Sequence, residues 1–249
     1  MFAVGLAAAA CGGNAASTNP TPTIGGRLTV FAAASLTESF AELGRAFETA
    51  GRADKVTFNF GSSSTLVAQI NQGAPVDVFA SADTANMSKL TGGGVGAATT
   101  PVAFAGNRLA IVVAKDNPRR IASLGDLAKP GVVYITAAPE VPVGRYAQQV
   151  LTRAGVVAAP RSLEADVKAI VAKVTLGEAD AGIVYATDIT AAGNKVMGVA
   201  IADDLNIVAT YPIAVINGAK HATAATAFVD FVIGADGQAI LAKYGFIKP

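Results

Sequence analysis

Cysteine and histidine are almost absent from this chain of 249 residues, which contains one of each, Cys11 and His221. A single cysteine excludes an intramolecular disulfide framework and a thiolate zinc cage. A single histidine excludes the multi-histidine sites that zinc enzymes use. We therefore expect a protein that works without a resident metal ion and without a cofactor.

Charge is scarce as well. Charged residues make up 15% of the chain, the formal net charge is +1, and no basic run is longer than the pair Arg119-Arg120. Nucleic-acid-binding proteins need clustered basic charge, so that class is excluded. Apolar residues make up 52%. With this length, the composition predicts a globular protein of one large domain or of two lobes with their own cores.

Catalytic motifs are missing too. The sequence has no Cys–His pair, no G-x-S-x-G elbow, and no histidine near its serine-rich segments. The segment Gly92–Gly96 lacks a following Lys-Ser/Thr, so we interpret it as a surface loop and not as a phosphate-binding loop. We predict that the protein is not an enzyme.

Residues 1–26 have the composition of an export segment. The apolar run Met1–Ala10 is too short to span a bilayer. Cys11 follows, and then a tract rich in Ser, Thr, Pro, Asn and Gly that cannot build a core. This resembles the end of a bacterial lipoprotein signal peptide with Cys11 as the lipidated residue, followed by a flexible tether. We expect an extracytoplasmic protein with a lipid anchor in the cell membrane; the alternative is an unmodified cysteine.

Strand and helix patterns alternate along the rest of the chain. Strands are predicted at Leu28–Phe31, Val56–Phe60, Val76–Ala80, Leu109–Ala114, Val132–Thr136, Ala181–Tyr185, Val196–Ile201 and Pro212–Ile216. Most are continuous Val-, Ile- and Phe-rich runs, which are typical of strands buried on both faces of a parallel sheet. Helical spacing is found from Ser35 to Phe47 and at 66–73, 143–154, 164–176, 223–233 and 238–244. The alternation predicts an α/β fold.

Two serine segments stand where an apolar strand ends and an amphipathic helix begins. They are Ser35 and the run Ser62–Thr65. The first turn of a helix has unpaired N–H groups and a partial positive charge, and serine adds a rotatable donor. Glu38, three residues after Ser35, predicts a capping box. The two segments together predict a pocket that binds an oxyanion without a charged side chain.

Seven sequence strings in a fixed order connect the chain to a known family. They are Phe31–Thr37 (FAAASLT), Gly61–Leu66 (GSSSTL), Gly73–Asp83 (GAPVDVFASAD), Val141–Gly144 (VPVG), Glu164–Val167 (EADV), Gly182–Tyr185 (GIVY) and Lys243–Ile247 (KYGFI). In this order the chain resembles the periplasmic molybdate-binding proteins of ABC importers. The resemblance extends from about Leu28 to Pro249.

The resemblance implies the type II solute-binding fold, in which two α/β lobes are joined by two crossover strands and the ligand lies in the cleft between them. The crossovers are expected near Asn107–Arg108 and near Thr210–Tyr211. Lobe one would then comprise residues 27–107 and 211–249, and lobe two residues 108–210.

The resemblance also implies five ligand-binding residues. Hydroxyl and backbone N–H groups of Ser35 and Ser63 would come from lobe one, and the backbone N–H groups of Val143 and Val167 from lobe two. Tyr185 would donate its phenol from a strand end. Molybdenum would be present only as the oxyanion held by these residues. The sequence agrees with two helix starts, since Pro142 precedes Val143 and Asp166 precedes Val167.

Other roles remain open for the side chains. Ser35 fits a simple helix cap, any of the three serines at 62–64 fits the ligand position, and Tyr185 fits a core position at a strand end.

Three further polar residues have a structural interpretation only. We interpret Asp77 and Asp83 as helix caps or loop anchors, because carboxylates repel an anion. We interpret His221 as a solvated surface residue.

The resemblance implies a monomer that binds molybdate and tungstate and delivers them to an ABC import permease. A site made only of donors disfavours protonated oxyanions such as phosphate, whose own O–H finds no acceptor. Sulfate is fully deprotonated near neutral pH, so a sulfate-binding protein is the alternative.

A regulator's sensor domain would need a helix-turn-helix before it, which residues 1–26 cannot form. An amino-acid binder would need an arginine and an acid, and no such pair marks the cleft segments.

Overall fold

The computed structural model describes residue 1, residues 26–92 and residues 96–249. The strands are Arg27–Ala33 (β1), Lys55–Gly61 (β2), Val78–Ala80 (β3), Val102–Ala114 (β4), Tyr134–Ala137 (β5), Leu163–Glu164 (β6), Ala181–Tyr185 (β7), Val196–Ala200 (β8) and Val208–Val215 (β9). The α-helices are Thr37–Thr49 (α1), Ser63–Asn71 (α2), Thr84–Ser88 (α3), Pro142–Arg153 (α4), Val167–Thr175 (α5), Ala186–Ala192 (α6), Ala222–Ile233 (α7) and Ala235–Lys243 (α8). Cys11 and residues 93–95 lie outside the described residues, so the lipidation site and the loop interpretation stay predictions.

The predicted α/β fold is confirmed, with one correction to the sheet. The strand order is β2-β1-β3-β9-β4-β7-β5-β6, and β8 pairs with β4. Strand β1 is parallel to β2 and β3, and β5 is parallel to β6 and β7. However, β4 is antiparallel to β7, β8 and β9, and β9 is antiparallel to β3. The sheet is therefore mixed at its centre and parallel towards its two ends.

The fold has two lobes joined by β4 and β9. Lobe one contains β1–β3 with α1–α3, α7 and α8, and lobe two contains β5–β8 with α4–α6. The two connecting strands pair with each other, and Asn107 lies opposite Ala209. Both predicted crossovers therefore fall inside paired strands, while the lobe boundaries themselves stay a prediction.

The end of the chain returns to lobe one through aromatic packing. The ring of Phe228 on α7 lies 5.2 Å from that of Phe47 and 6.2 Å from that of Phe40, both on α1. All three rings are fully buried. Burial of a large apolar side chain stabilises a fold by roughly 1.5–3 kcal/mol, so these contacts tie the C-terminal helices to the first helix.

Among the residues that the structure describes, the longest helix is α1, with 13 residues. No single helix in this part of the chain is long and apolar enough to cross a membrane, although α7 and α8 together, bent by 59°, pass the test by length and composition.

Candidate functional site

A small pocket lies between the lobes. Its walls are Ala33, Ala34, Ser35, Gly61, Ser62, Ser63, Ala82, Val141, Pro142, Val143, Asp166, Val167 and Tyr185. All five residues predicted for the ligand site are among them. They come from the first turns of three α-helices, from a 3-10 turn and from the end of a strand. The fold therefore brings together residues that are up to 150 positions apart in the sequence.

Ser35 reaches the pocket in a way that the capping prediction did not foresee. The residue lies inside a 3-10 turn, Ala34–Leu36, and α1 begins only at Thr37 with no side-chain cap. The predicted capping box with Glu38 is therefore wrong. The Ser35 hydroxyl forms a hydrogen bond with the Tyr211 hydroxyl at 3.0 Å instead. Because this bond uses only part of its capacity, the Ser35 hydroxyl keeps a position for a further partner.

The three neighbouring serines have different roles. Ser62 is the N-cap of α2 and accepts the N–H of Thr65 at 3.2 Å. The Ser64 hydroxyl lies 3.1 Å from that of Ser62. Ser63 is buried, and its Oγ accepts the N–H of Ala82 at 2.9 Å. A hydroxyl that accepts one bond still has its own proton to donate, so Ser63 is the serine of the run best suited to donate into the pocket.

Two helix starts in lobe two supply backbone donors. Val143 is the second residue of α4, after Pro142, and Val167 is the first residue of α5, after the N-cap Asp166. The N–H groups at these positions have no acceptor within their own helices. They carry the partial positive charge of a helix N-terminus, which favours an anion.

Tyr185 lies at the end of β7 and is 1% exposed. Among the described residues its hydroxyl has no hydrogen-bond partner. Burial raises the pKa of this phenol well above its ordinary value, so it stays protonated and acts as a donor. A buried hydroxyl without a partner is costly, so this position favours a ligand that brings a hydrogen-bond acceptor.

The pocket lining contains no cationic side chain. Its one carboxylate is that of Asp166, whose Oδ1 accepts the N–H of Ala169 in its own helix at 3.0 Å. Close by, Asp83 caps α3, as predicted, by accepting the N–H of Asn86 at 2.7 Å, and it forms an ion pair with Arg145 of lobe two. The arrangement can hold an anion through neutral donors.

A second set of charges crosses the cleft. Lys168, the residue after Val167, donates to both carboxylate oxygens of Glu38 on α1 at 2.9 and 2.8 Å. Its Nζ also lies 3.4 Å from Oδ1 of the buried Asp188, whose Oδ2 accepts the N–H of Tyr185 at 3.2 Å. Burial raises the pKa of Asp188 to about 6, although Lys168 acts in the opposite direction.

The sequence prediction missed three polar residues behind the pocket. Asn107 on β4 donates through Nδ2 to the hydroxyl of Thr187 at 2.8 Å and to that of Tyr211 at 3.3 Å. All three residues are buried. The only available signal was the position of Asn107 and Tyr211 at the predicted crossovers, and nothing local marks them as partners of Ser35.

Asp77 and His221 do not line the pocket. Asp77 accepts the N–H of Thr29 at 2.9 Å and the N–H of His221 at 3.1 Å, which confirms it as a loop anchor. His221 is half-buried, with Nδ1 3.5 Å from the Asp77 carboxylate. His221 therefore lies at the surface as predicted but is only partly solvated, because its ring packs beside the Asp77 carboxylate. Within the described ranges no group of three His, Cys, Asp or Glu side chains is arranged to hold a metal ion.

Comparison with known proteins places the chain in a family. A model of the bacterial extracellular solute-binding proteins matches residues 28–247. The chain belongs to this family. It is 39% identical to a molybdate-binding protein of Mycobacterium tuberculosis, over 100% of this chain and 95% of that protein.

Solved structures agree on the fold. The periplasmic molybdate-binding protein of Azotobacter vinelandii matches with a TM-score of 0.76 and 24% identity, over 89% of this chain and 99% of that one. The sulfate-binding protein of Mycobacterium tuberculosis matches with a TM-score of 0.78 and 21% identity, over 88% of this chain and 86% of that one. At these identities the likeness shows the two-lobed solute-binding fold and does not identify the ligand.

Proposed function

We propose that this protein binds molybdate, and its near-equivalent tungstate, outside the cytoplasm and delivers it to the permease of an ABC importer. One observation carries the proposal: the buried Tyr185 hydroxyl has no partner among the described residues, and it lines a pocket whose polar groups, apart from the carboxylate of Asp166 that caps its own helix, are hydroxyl and N–H donors. The 39% identical relative named as a molybdate-binding protein supports the choice of ligand.

Molybdate is a doubly charged tetrahedral anion with four acceptor oxygens. The hydroxyls of Ser35, Ser63 and Tyr185 and the N–H groups of Val143 and Val167 are the proposed donors. Hydrogen bonds to a charged group contribute roughly 1.5–3 kcal/mol each. After the cost of removing water from the dianion, such a set supports binding of about −8 kcal/mol, which is micromolar, or tighter.

Donor chemistry also provides selectivity. A protonated oxyanion such as hydrogen phosphate brings its own O–H, and the proposed set of five donor residues offers that group no acceptor. Buried polar groups left unpaired cost roughly 1–3 kcal/mol each, so phosphate is disfavoured. Sulfate carries no proton, and only its smaller size separates it from molybdate.

Transport follows from the two-lobed geometry. Because the proposed donors come from both lobes, ligand binding favours the closed cleft, which is the form for a permease to recognise. Cys11 would anchor the monomeric protein to the membrane by a lipid. In this role the pocket makes and breaks no covalent bond, so the protein is not an enzyme.

A thermal melt of the full chain with molybdate, tungstate, sulfate or phosphate at equal concentration tests the ligand. A ligand at a hundred times its Kd adds about 2.7 kcal/mol to the free energy of unfolding. We expect molybdate and tungstate to raise the Tm and phosphate to leave it unchanged. A larger shift with sulfate would move the function to sulfate uptake.

The Tyr185→Phe variant tests the site in the same assay. Removing a hydroxyl that has no partner among the described residues should leave the Tm without ligand within about 1 °C or raise it slightly, while binding weakens by tenfold or more. If Tyr185→Phe bound molybdate like the wild type, the site assignment would be wrong.

A further inference from the structure

We propose that Tyr211 is a positioning residue that orients the hydroxyl of Ser35, so that the Ser35 proton points at the bound oxyanion. The inference deepens the proposed function and rests on it. It assigns a role in ligand selection to a residue of the connecting strand β9 that lies outside the pocket lining.

The contacts form a chain of hydrogen bonds from the connecting strands to the pocket. Asn107 on β4 donates to the Tyr211 hydroxyl at 3.3 Å, and the Tyr211 hydroxyl lies 3.0 Å from Oγ of Ser35. Asn107 is 1% exposed, Tyr211 is fully buried and Ser35 is 5% exposed. Water is thus excluded from these hydrogen bonds, and each of the three side chains depends on its neighbour for a hydrogen-bond partner.

Which group donates and which accepts in these hydrogen bonds follows from the orientation of the Asn107 amide. As it stands, the amide leaves one buried acceptor, Oδ1, without a partner among the described residues. Turning the amide over would bury the NH₂ group, with its two donor hydrogens, at that position. Orphaned buried donors are rarer than under-satisfied carbonyl oxygens, so the observed orientation is the favourable one. Tyr211 thus accepts from Asn107, and we assign its own proton to the bond with Ser35.

The consequence for Ser35 is that its hydroxyl is fixed as a hydrogen-bond donor to the ligand. A hydroxyl that accepts from Tyr211 donates its single proton elsewhere, and the pocket lies on that side. Without Tyr211 the Ser35 hydroxyl would rotate freely and would donate or accept in turn. The two hydrogen bonds through Tyr211 thus make the Ser35 hydroxyl a donor, which suits a fully deprotonated oxyanion.

Ring packing keeps the Tyr211 hydroxyl in place. The Tyr211 ring meets Phe246 at 5.5 Å, Tyr185 at 5.7 Å and Phe104 at 6.3 Å, each edge to face. Burial raises the pKa of Tyr211 far above its ordinary value, so the phenol keeps its proton. Because the ring packing does not involve the hydroxyl, Tyr211→Phe removes the hydrogen bond and keeps the shape.

A double-mutant cycle tests whether Tyr211 acts through Ser35. Calorimetry would give the Kd of molybdate for the wild type, Ser35→Ala, Tyr211→Phe and the double variant. We expect Tyr211→Phe alone to weaken binding about tenfold and to change it less than about twofold when Ser35 is already alanine. Equal weakening in both backgrounds, or wild-type binding by Tyr211→Phe, would overturn the inference.

Control variants separate this role from a structural one. Tyr134 is an equally buried tyrosine of lobe two, and Tyr134→Phe should leave the Kd unchanged. Asn107→Leu removes the donor that fixes Tyr211 as an acceptor. We expect this change to weaken molybdate binding about threefold when Ser35 is present and to have no effect when Ser35 is alanine. An equal loss in the Ser35→Ala variant would contradict the inference. If Ser35→Ala weakens binding while the cycle is additive, only this inference fails. If the wild type does not bind molybdate, the proposed function fails with it.

Discussion

Ser63 shows how a single side chain links ligand binding to stability. Its Oγ accepts the N–H of Ala82, and its proton remains for the ligand. Ser63→Ala should therefore weaken molybdate binding tenfold or more and also lower the free energy of unfolding by about 1–3 kcal/mol, because the buried N–H of Ala82 loses its acceptor. Calorimetric titration and denaturant unfolding would measure the two effects.

The matched control is Ser64→Ala. The Ser64 hydroxyl contacts Ser62 at 3.1 Å and does not line the pocket. We expect no change in Kd and a change in stability below about 0.5 kcal/mol. Equal loss of binding in Ser63→Ala and Ser64→Ala would show that the run acts as a unit.

Asp188 should give the protein a measurable pH dependence. Burial raises its pKa from the ordinary 3.8 to about 6, so between these values the folded state holds a proton that the unfolded chain releases. This residue's contribution to stability is present below pH 4 and is lost as the pH rises through 6. The free energy of unfolding of Asp188→Asn, minus that of the wild type, should increase by up to about 3 kcal/mol from pH 4 to pH 7. A difference that stays constant with pH would contradict the assignment.

At the residue level the sequence predicted those site residues whose role is marked by their neighbours in the chain. A serine at a strand end predicted Ser35 and the run Ser62–Thr65, and the family resemblance selected Ser63 within that run. The structure places Ser35 and Ser63 in the pocket. The capping role of Ser35 failed because Tyr211, 176 positions away, offers its hydroxyl a partner. No local pattern reveals such a partner.

Helix α4 presents its first turn to the pocket through a close backbone contact. A Cβ at Gly144 would lie 2.3 Å from the carbonyl oxygen of Ala138 and 2.4 Å from that of Ala137. Both obstacles are backbone, so Gly144→Ala must displace the helix start and with it the N–H of Val143. We expect a loss of about 1–3 kcal/mol in stability and molybdate binding at least tenfold weaker.

Gly125→Ala is the control for this change. Gly125 lies in a 3-10 turn, and its nearest neighbour to a new Cβ would be the Ser123 hydroxyl at 3.6 Å, an ordinary contact. Its Tm and Kd should match those of the wild type. If Gly144→Ala also behaved like the wild type, α4 would not be fixed by this contact.

The elements themselves were largely predictable. Every predicted strand overlaps an observed one, because buried Val- and Ile-rich runs have a strong signal. Two short helices, α3 and α6, were missed; α3 has five residues, and α6 follows Tyr185 without a turn. The first half of β4 was missed too. The antiparallel course of β4 and β9 could not be predicted either, since strand direction depends on partners distant in sequence.

At the scale of the whole molecule, two ion pairs join the lobes across the cleft. Glu38 of lobe one meets Lys168 of lobe two, and Asp83 of lobe one meets Arg145 of lobe two. None of these four side chains lines the pocket, whose own donors are neutral. The ligand and the ion pairs therefore favour the same arrangement of the lobes.

Two glutamates of helix α1 provide a test, with a control, of whether an ion pair across the cleft contributes to ligand binding. Glu38→Gln removes the carboxylate that Lys168 reaches, whereas Glu42→Gln, one turn later, removes a partner of Lys243 inside lobe one. Both pairs are partly exposed, so each contributes only about 0.2–1 kcal/mol. Because only the Glu38 pair depends on closure, Glu38→Gln should weaken molybdate binding about two- to fivefold and reduce its dependence on salt, while Glu42→Gln should leave the Kd unchanged. Titrations at about 0.05 and 0.5 M salt would measure both effects, and equal behaviour of the two variants would mean that the contact between the lobes does not contribute to closure.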